Sequence, residues 1–296
     1  MSTKKKGYTT REKRQYLTSV VFLAIPLVLL IMFTYVPLVD MFRYSLYKWD
    51  GFGEMKFIGM KNYVELFTRT EYIRMFETSL YYLVGSFVQI ALALVFAELL
   101  RDSRRTKFAN FFKGCIFFPY LINSVAVGFI FLYFYKAGGT FDTILTAFGI
   151  PQESLPLWMK TVGLNNVCLA CVSLWRYLGQ NVIMFIGAMQ SVDGEMYEAA
   201  ELDGASAFQV FRYITLPNIK TVISINMILA VKGAISVFEI PYIMTNGANG
   251  TGTFVTKTLE VAFTTRKIGL ASAMGVELLI MIMIVTFIQK KYFEKE

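Results

Sequence analysis

The chain has 296 residues, 55% of them hydrophobic and only 17% charged, with 29 lysines and arginines against 21 aspartates and glutamates and a formal net charge of +8. So apolar a composition excludes an ordinary soluble domain of this length. The positive charge lies beside apolar runs rather than on a face of its own, which marks membrane flanks and argues against a nucleic-acid partner.

Six runs, 17–39, 76–100, 109–135, 167–190, 220–245 and 268–289, carry few or no charges. Each exceeds the roughly 18–20 residues that a helix needs to cross a bilayer. They predict an all-α, polytopic bundle of six transmembrane helices, a single domain over 1–296. Nothing left between them is large enough for a second one. The first run follows the basic stretch MSTKKKGYTTREKR. It is too long for the apolar core of a signal peptide, and no small-residue cleavage site follows, so it reads as an uncleaved first span. Pro26 and Pro37 are tolerable in a membrane helix. The basic stretch RDSRRTKFANFFK, 101–113, predicts a cytoplasmic loop. With the N-terminus also inside, alternation puts 40–75, 136–166 and 246–267 outside and 191–219 and the tail KKYFEKE inside. Both termini are then cytoplasmic.

Within the spans the polar residues stand out, because polar groups in a bilayer are costly and face a water-lined cavity or a bundle interior. Asn123 lies in the third run. In the fourth, Ser173, Tyr177 and Gln180 recur at i, i+4 and i+7, on one face, with Arg176 beside them. In the fifth, Lys232, Ser236 and Glu239 have the same spacing. Glu277 stands alone in the sixth, where a structural role toward a partner is expected. Cys115, Cys168 and Cys171 have no histidine near them, since the chain contains none. They read as small apolar residues of the bundle, with no metal site. The lack of histidine also removes the commonest general base, and with it most membrane-hydrolase mechanisms.

The loop 191–219 is unlike the others. It holds EAAELDGASAFQVFRYITLP, 198–217. Asp193 is placed to cap a short helix with Glu195 and Glu198 in its first turns. Gly204 permits a tight turn. A second short helix is expected from Ala205 to Tyr213, and Pro217 suits the first turn of the next span. Spacing alone leaves two readings open, a passive amphipathic hairpin at the interface and a docking site.

The spacing from Glu198-Ala199-Ala200 to Gly204, and on to Ile214-Thr215-Leu216-Pro217, resembles the signature loop of ABC-importer membrane subunits. Residues 174–220 as a whole resemble the carbohydrate branch of that family, close to the MalF-like permeases for maltose and multiple sugars. FIGMKNYVELF, 57–67, resembles that branch's F-x-G-x-x-N-Y element, and 238–263 resembles its fifth-span exit, with Gly247-Ala248-Asn249 where the branch often has Gly-Gly-Pro. The resemblance implies a bacterial cell-membrane permease for an oligosaccharide. It implies pairing with a second, homologous permease as a heterodimer, above two cytoplasmic ATPase domains, with sugar delivered by an extracytoplasmic binding protein. By the family pattern Glu198, Ala199, Ala200, Asp203, Gly204, Leu216 and Pro217 form the coupling loop that seats in the ATPase. Sugar contacts come from the middle spans, where Asn123, Ser173, Tyr177, Gln180, Lys232, Ser236 and Glu239 are the candidates. No cofactor is expected. The Gly-rich run 247–252 lacks the lysine of a phosphate-binding loop, so ATP hydrolysis is expected of a partner and the chain itself is not an enzyme. The alternative is an ion-coupled secondary transporter, which needs paired buried carboxylates and usually an internal repeat. Glu239 and Glu277 are too few for that, and the halves show no repeat. A membrane enzyme lacks a nucleophile, base or metal set, and a binding-only sensor is the remaining class.

Overall fold

The computed structural model describes residues 9–101 and 107–293. Helices α1 (Thr10–Leu30) and α2 (Val36–Tyr44) are joined by a single π turn, Ile31–Tyr35, into one rod. The Val36 amide bonds the Ile31 carbonyl, five residues back, just before Pro37 removes a backbone donor. None of this rod's apolar window is buried. It touches the rest of the chain mainly through α2, where Gly275 leaves room for Met41.

A short hairpin follows. β1 (Tyr47–Lys48) pairs antiparallel with β2 (Lys56–Phe57), Tyr47 opposite Phe57. Asn62, at the start of α3 (Lys61–Thr68), donates to the Ser45 and Tyr47 carbonyls at 2.7 and 3.0 Å, and the Tyr63 hydroxyl donates to Ser45 Oγ at 2.7 Å. Asn62 and Tyr63 of FIGMKNY therefore lock the first connecting loop against the end of α2.

The bundle is organised around α4 (Thr70–Arg101) and α8 (Leu164–Gln190), which pack together along their lengths. The third apolar run, 109–135, does not form one helix. It breaks into α5 (Lys107–Leu121) and α6 (Ser124–Phe134), which meet at 96°. The α5 backbone presses onto α8 at Gly179, where any side chain would collide with the Ile116 carbonyl. The fifth run also breaks, into α12 (Lys220–Ile235) and α13 (Glu239–Thr245), and α13 crosses α6 where Gly128 meets Ile243. At this end α7 (Thr140–Ala147) is held by Asp142. Its buried carboxylate accepts from the Gly138 amide at 2.7 Å and from Trp158 Nε1 at 2.6 Å. The turn after α13 uses left-handed backbone at Asn246, Gly247, Asn249 and Gly250. It is tied to the start of α8 by Asn165 and Asn166, whose side-chain amides donate to the Asn249 and Gly250 carbonyls at 2.8 and 2.9 Å. A short helix α14 (Phe254–Leu259), capped by Thr253, leads to α15 (Ile268–Phe293).

Among the described residues five helices are long and apolar enough to cross a membrane, or six if the bent pair α5–α6 is one span. Three apolar cores hold them together. One lies around Val127, Leu169 and Val172, one around Ala93, Phe185 and Met189, and one around Leu66, Phe254 and Met274. The helices overrun the apolar stretches that predict them: 76–100 lies in a helix beginning at Thr70, and 17–39 in a rod from Thr10 to Tyr44. Hydropathy marks the part that meets lipid, while a membrane helix continues into the interface until a cap or turn ends it.

Candidate functional site

Between α4, α8 and the break in the fifth run lies a cavity of about 510 Å³, within the usual size range of small-molecule sites. Ser173, Tyr177 and Gln180 line it from α8, and Ser236 and Glu239 line it from the break. The one-face spacing read in α8 is thus a real face, turned to an open space. The spacing in the fifth run is not, because the helix ends at Ile235 and restarts at Glu239. Lys232 does not line the cavity, because the lining face of α12 runs through Asn226, Ala230, Gly233 and Ala234 and leaves Lys232 exposed on its flank. Asn123 does not line it either. Its Oδ1 accepts the Val125 amide at 2.8 Å and caps α6 at the 96° bend.

Arg176 is buried one residue behind this face. Its guanidinium donates to Glu239 Oε2 at 2.8 Å and to the Tyr177 hydroxyl at 3.2 Å, and it lies 5.1 Å from the Tyr177 ring centre. The Tyr120 ring, on α5, stands 6.0 Å from that of Tyr177. The ion pair joins the continuous fourth span to α13, the second half of the broken fifth. The lining includes a carboxylate whose charge Arg176 offsets, and no lysine or arginine among the described residues. The rest is hydroxyl, amide and aromatic surface set among aliphatic side chains such as Ile90, Met184, Leu229 and Val237. Such a surface suits a neutral, polyhydroxylated molecule better than an anion.

Sequence reasoning missed the contribution of α4. Tyr82, Ser86 and Gln89 also line the cavity, as do Asn181 of α8 and Asn226 of α12. Tyr82, Ser86 and Gln89 recur at i, i+4 and i+7, the same rule that marks α8.

At the opposite end of α4 from the hairpin, the 191–219 segment folds as two short helices. In α9 (Gly194–Leu202), the Asp193 side chain accepts the Glu195 amide at 3.1 Å. The helix ends at Gly204, whose φ is +74°. The Gly204 amide bonds the Glu201 carbonyl at 3.1 Å and the Ala205 amide bonds the Ala200 carbonyl at 2.9 Å, a complete Schellman termination. The second helix begins later than Ala205: Ser206 caps α10 (Ala207–Val210) in a capping box with Gln209. A π turn, Phe211–Thr215, then leads into α11 (Leu216–Asn218), with Pro217 in its first turn. Glu198, Ala199, Asp203, Gly204 and Pro217 are exposed, while Ala200 and Leu216 are half-buried. Two large apolar side chains among them, Leu202 and Phe208, are 89% and 73% exposed. In a segment of charged residues that pair signals a surface made to be covered.

The hairpin is fastened to the bundle. The Arg101 guanidinium, at the end of α4, lies 4.1 Å above the Tyr197 ring. The Tyr197 hydroxyl is 3.4 Å from Thr215 Oγ1. Val210, Thr215 and Ile219 are buried, Ile219 in the same core as Phe185 and Met189 of α8.

Residues 89–295 match the sequence profile of the binding-protein-dependent transport system inner membrane component family. The chain is 32% identical over 275 residues to the probable ABC transporter permease protein YurN of Bacillus subtilis, spanning 91% of this chain and 94% of that one. It is 30% identical over 244 residues to the arabinooligosaccharides transport system permease protein AraP of the same organism, 81% of this chain and 77% of that one. Its fold superposes with a TM-score of 0.83, at 18% identity and over 96% of both chains, on a solved bacterial ABC transporter involved in the import of the acidic polysaccharide alginate. The match over most of the length, together with a helical membrane bundle, makes this chain a member of the binding-protein-dependent transport system inner membrane component family of ABC permeases.

Proposed function

We propose that the chain is a permease subunit of a bacterial importer for neutral oligosaccharides. The observation that carries this reading is the cavity of about 510 Å³ lined by Ser173, Tyr177, Gln180, Ser236 and Glu239. Hydroxyl and amide groups meet the hydroxyls of a sugar, and the Tyr177 ring offers an apolar face to its C–H surface. The relative named for arabino-oligosaccharides supports the substrate class. The absence of a lysine or arginine among the described lining residues sets the chain apart from what an acidic polysaccharide asks for.

On this reading 191–219 is the cytoplasmic coupling loop. Glu198, Ala199, Ala200, Asp203 and Gly204 form the surface that seats in the ATPase, and Leu202 and Phe208 supply its apolar contacts. Leu216 and Pro217 carry the displacement into α12. The ATPase dimer hydrolyses ATP, a second and homologous permease completes the pathway, and an extracytoplasmic binding protein delivers the sugar. Both termini are cytoplasmic, and 1–296 works as a single domain. The Arg101–Tyr197 contact and the buried Ile219 make loop and spans one mechanical unit, as a rigid-body switch between outward-facing and inward-facing forms requires.

The test is uptake of radiolabelled neutral oligosaccharides by cells carrying the complete transporter. Gln180→Leu and Tyr177→Ala are expected to cut uptake at least about tenfold, the effect of losing one or two well-placed hydrogen bonds, with normal membrane levels and basal ATP hydrolysis. Unchanged uptake in both variants would make this face structural.

A further inference from the structure

A second cavity system lies on the other side of α4, facing away from the proposed sugar pathway. Its upper part is a polar cavity of about 540 Å³ beside the start of α4, lined by Arg74, Glu77, Asn166, Lys257 and Glu260. Its lower part is an apolar groove of about 570 Å³ between α4 and α8. Glu77 and Tyr81 line both, so the two are continuous. Leu80, Val84 and Val88 form one wall of the groove, and Gly85, Ala170 and Cys171 leave it deep. From Glu77 to Val88 it descends eleven residues of α4, about 16 Å at 1.5 Å per residue. That is close to half of the roughly 30 Å hydrocarbon core of a bilayer. The polar cavity therefore sits at headgroup depth, and the groove is as long as one leaflet's acyl chain.

The charges above the groove are of both signs. Arg74 and Lys257 are cations; Glu77 and Glu260 are carboxylates, Glu260 lying 2.9 Å from Lys257. Asn166 adds a separate clue. It is 3% exposed, its amide nitrogen is spent on the Gly250 carbonyl, and its Oδ1 has no hydrogen-bond partner among the described residues. An acceptor left so at the edge of a polar cavity calls for a donor.

We infer that this continuous cavity and groove is a binding site for one phospholipid with a phosphate and a primary ammonium, of the phosphatidylethanolamine type. The phosphate lies toward Arg74 and Lys257, the ammonium toward Glu77, Glu260 and Asn166, and one acyl chain in the groove between α4 and α8. Burial of the chain does not itself select a lipid, since the bilayer is as apolar as the groove. Selectivity comes from the headgroup, where charge-assisted hydrogen bonds replace water, and from close packing over Gly85 and Ala170. The site requires only that α4 and α8 span a membrane, and it stands whether or not the cargo is a sugar.

The experiment is native mass spectrometry of the complex that co-purifies with this chain, titrated in mild detergent with dioleoyl phosphatidylethanolamine, phosphatidylcholine and phosphatidylglycerol. The expected result is one lipid retained per copy of this chain, with the ethanolamine lipid held about tenfold more strongly than either other, the worth of one charge-assisted pair. Choline carries no N–H for Asn166 and glycerol no cation for the carboxylates. Glu77→Gln should erase the preference, while Arg74→Glu, at the phosphate that all three lipids share, should lower the retention of each. Val84→Trp and Cys171→Trp, both at exposed positions in the groove, should each remove the lipid. Leu99→Trp, exposed elsewhere on α4, should not. Equal retention of the three lipids, or retention unchanged in both groove variants, overturns the inference. So does disulfide trapping of Cys171 by cysteines placed in a partner's spans, which would make the occupant a protein helix.

Discussion

Gly204 is the residue on which the short hairpin turns. Its φ of +74° is a conformation that a β-branched side chain resists, and it lets the Ala205 amide reach back to the Ala200 carbonyl at 2.9 Å. A Cβ there would meet nothing within 4 Å, so the cost of substitution is backbone strain alone, roughly 1–3 kcal/mol. That is small for the bundle and large for helices of nine and four residues, which have little stability of their own. Gly204→Val is therefore expected to insert normally yet lose sugar-stimulated ATP hydrolysis, while Gly204→Asn, more tolerant of positive φ, keeps most of it. Hydrolysis rates of the reconstituted transporter decide this, and full activity in the valine variant would leave the hairpin without a coupling role. At this scale the sequence was readable where backbone chemistry is local: Asp193, Gly204 and Pro217 occupy the cap, turn and first-turn positions that their residue types imply. The exposure of Leu202 and Phe208 was not readable, because an apolar residue in a short amphipathic segment is ordinarily the one that is buried.

The elements that the sequence shows least well are the broken ones. An apolar run of the right length looks the same whether its helix is straight or bent by 96°, so hydropathy read 109–135 as one span. The signals of the break are Pro119, inside α5, and Asn123, a favoured cap residue, four positions apart. Asn123 drew attention as a polar group in a span, and its place at the bend gives the physical reason. The α6 amides freed at the bend need an acceptor in a medium with little water. Asn123→Ala removes that acceptor and is expected to destabilise the protein by about 1–2 kcal/mol. Asn123→Asp or Asn123→Ser should restore most of it. Thermal unfolding in a fixed detergent measures both, and an alanine variant as stable as the parent would mean that the bend does not depend on its cap. Ser236 and Glu239 still meet at the cavity across the break in the fifth run, while Lys232 lies off the face of α12 that carries Asn226, Ala230 and Gly233.

Across the whole molecule, one pair joins the central helix α8 to the broken spans. α8 is continuous from Leu164 to Gln190 and packs on α4, α5 and α12. The second half of the fifth span, α13, packs mainly on α6, the second half of the third. The two broken spans thus share a layer at that end of the bundle, and Arg176–Glu239, at 2.8 Å, ties it to α8 beside the cavity. Only Arg176 is deeply buried; the Glu239 side chain is 51% exposed. The pair's worth is therefore well below that of a fully buried one, about 1–2 kcal/mol. Removing one partner should still cost more than removing both, since a lone Arg176 is left buried without its counter-charge. The expected outcome is a double-mutant cycle with Glu239→Gln, Arg176→Gln and the combined variant. Each single change should lower the unfolding temperature, and the combined variant should fall short of the sum by about 1 kcal/mol of coupling. In the proposed transporter the single variants should also hydrolyse ATP faster without binding protein, because the layer of α6 and α13 is held less firmly to α8. Additive losses, with basal hydrolysis unchanged, would reduce the pair to a surface contact and leave α6 and α13 to be held by the Gly128–Ile243 crossing, the packing of α13 on α8 and the Asn165 and Asn166 ties.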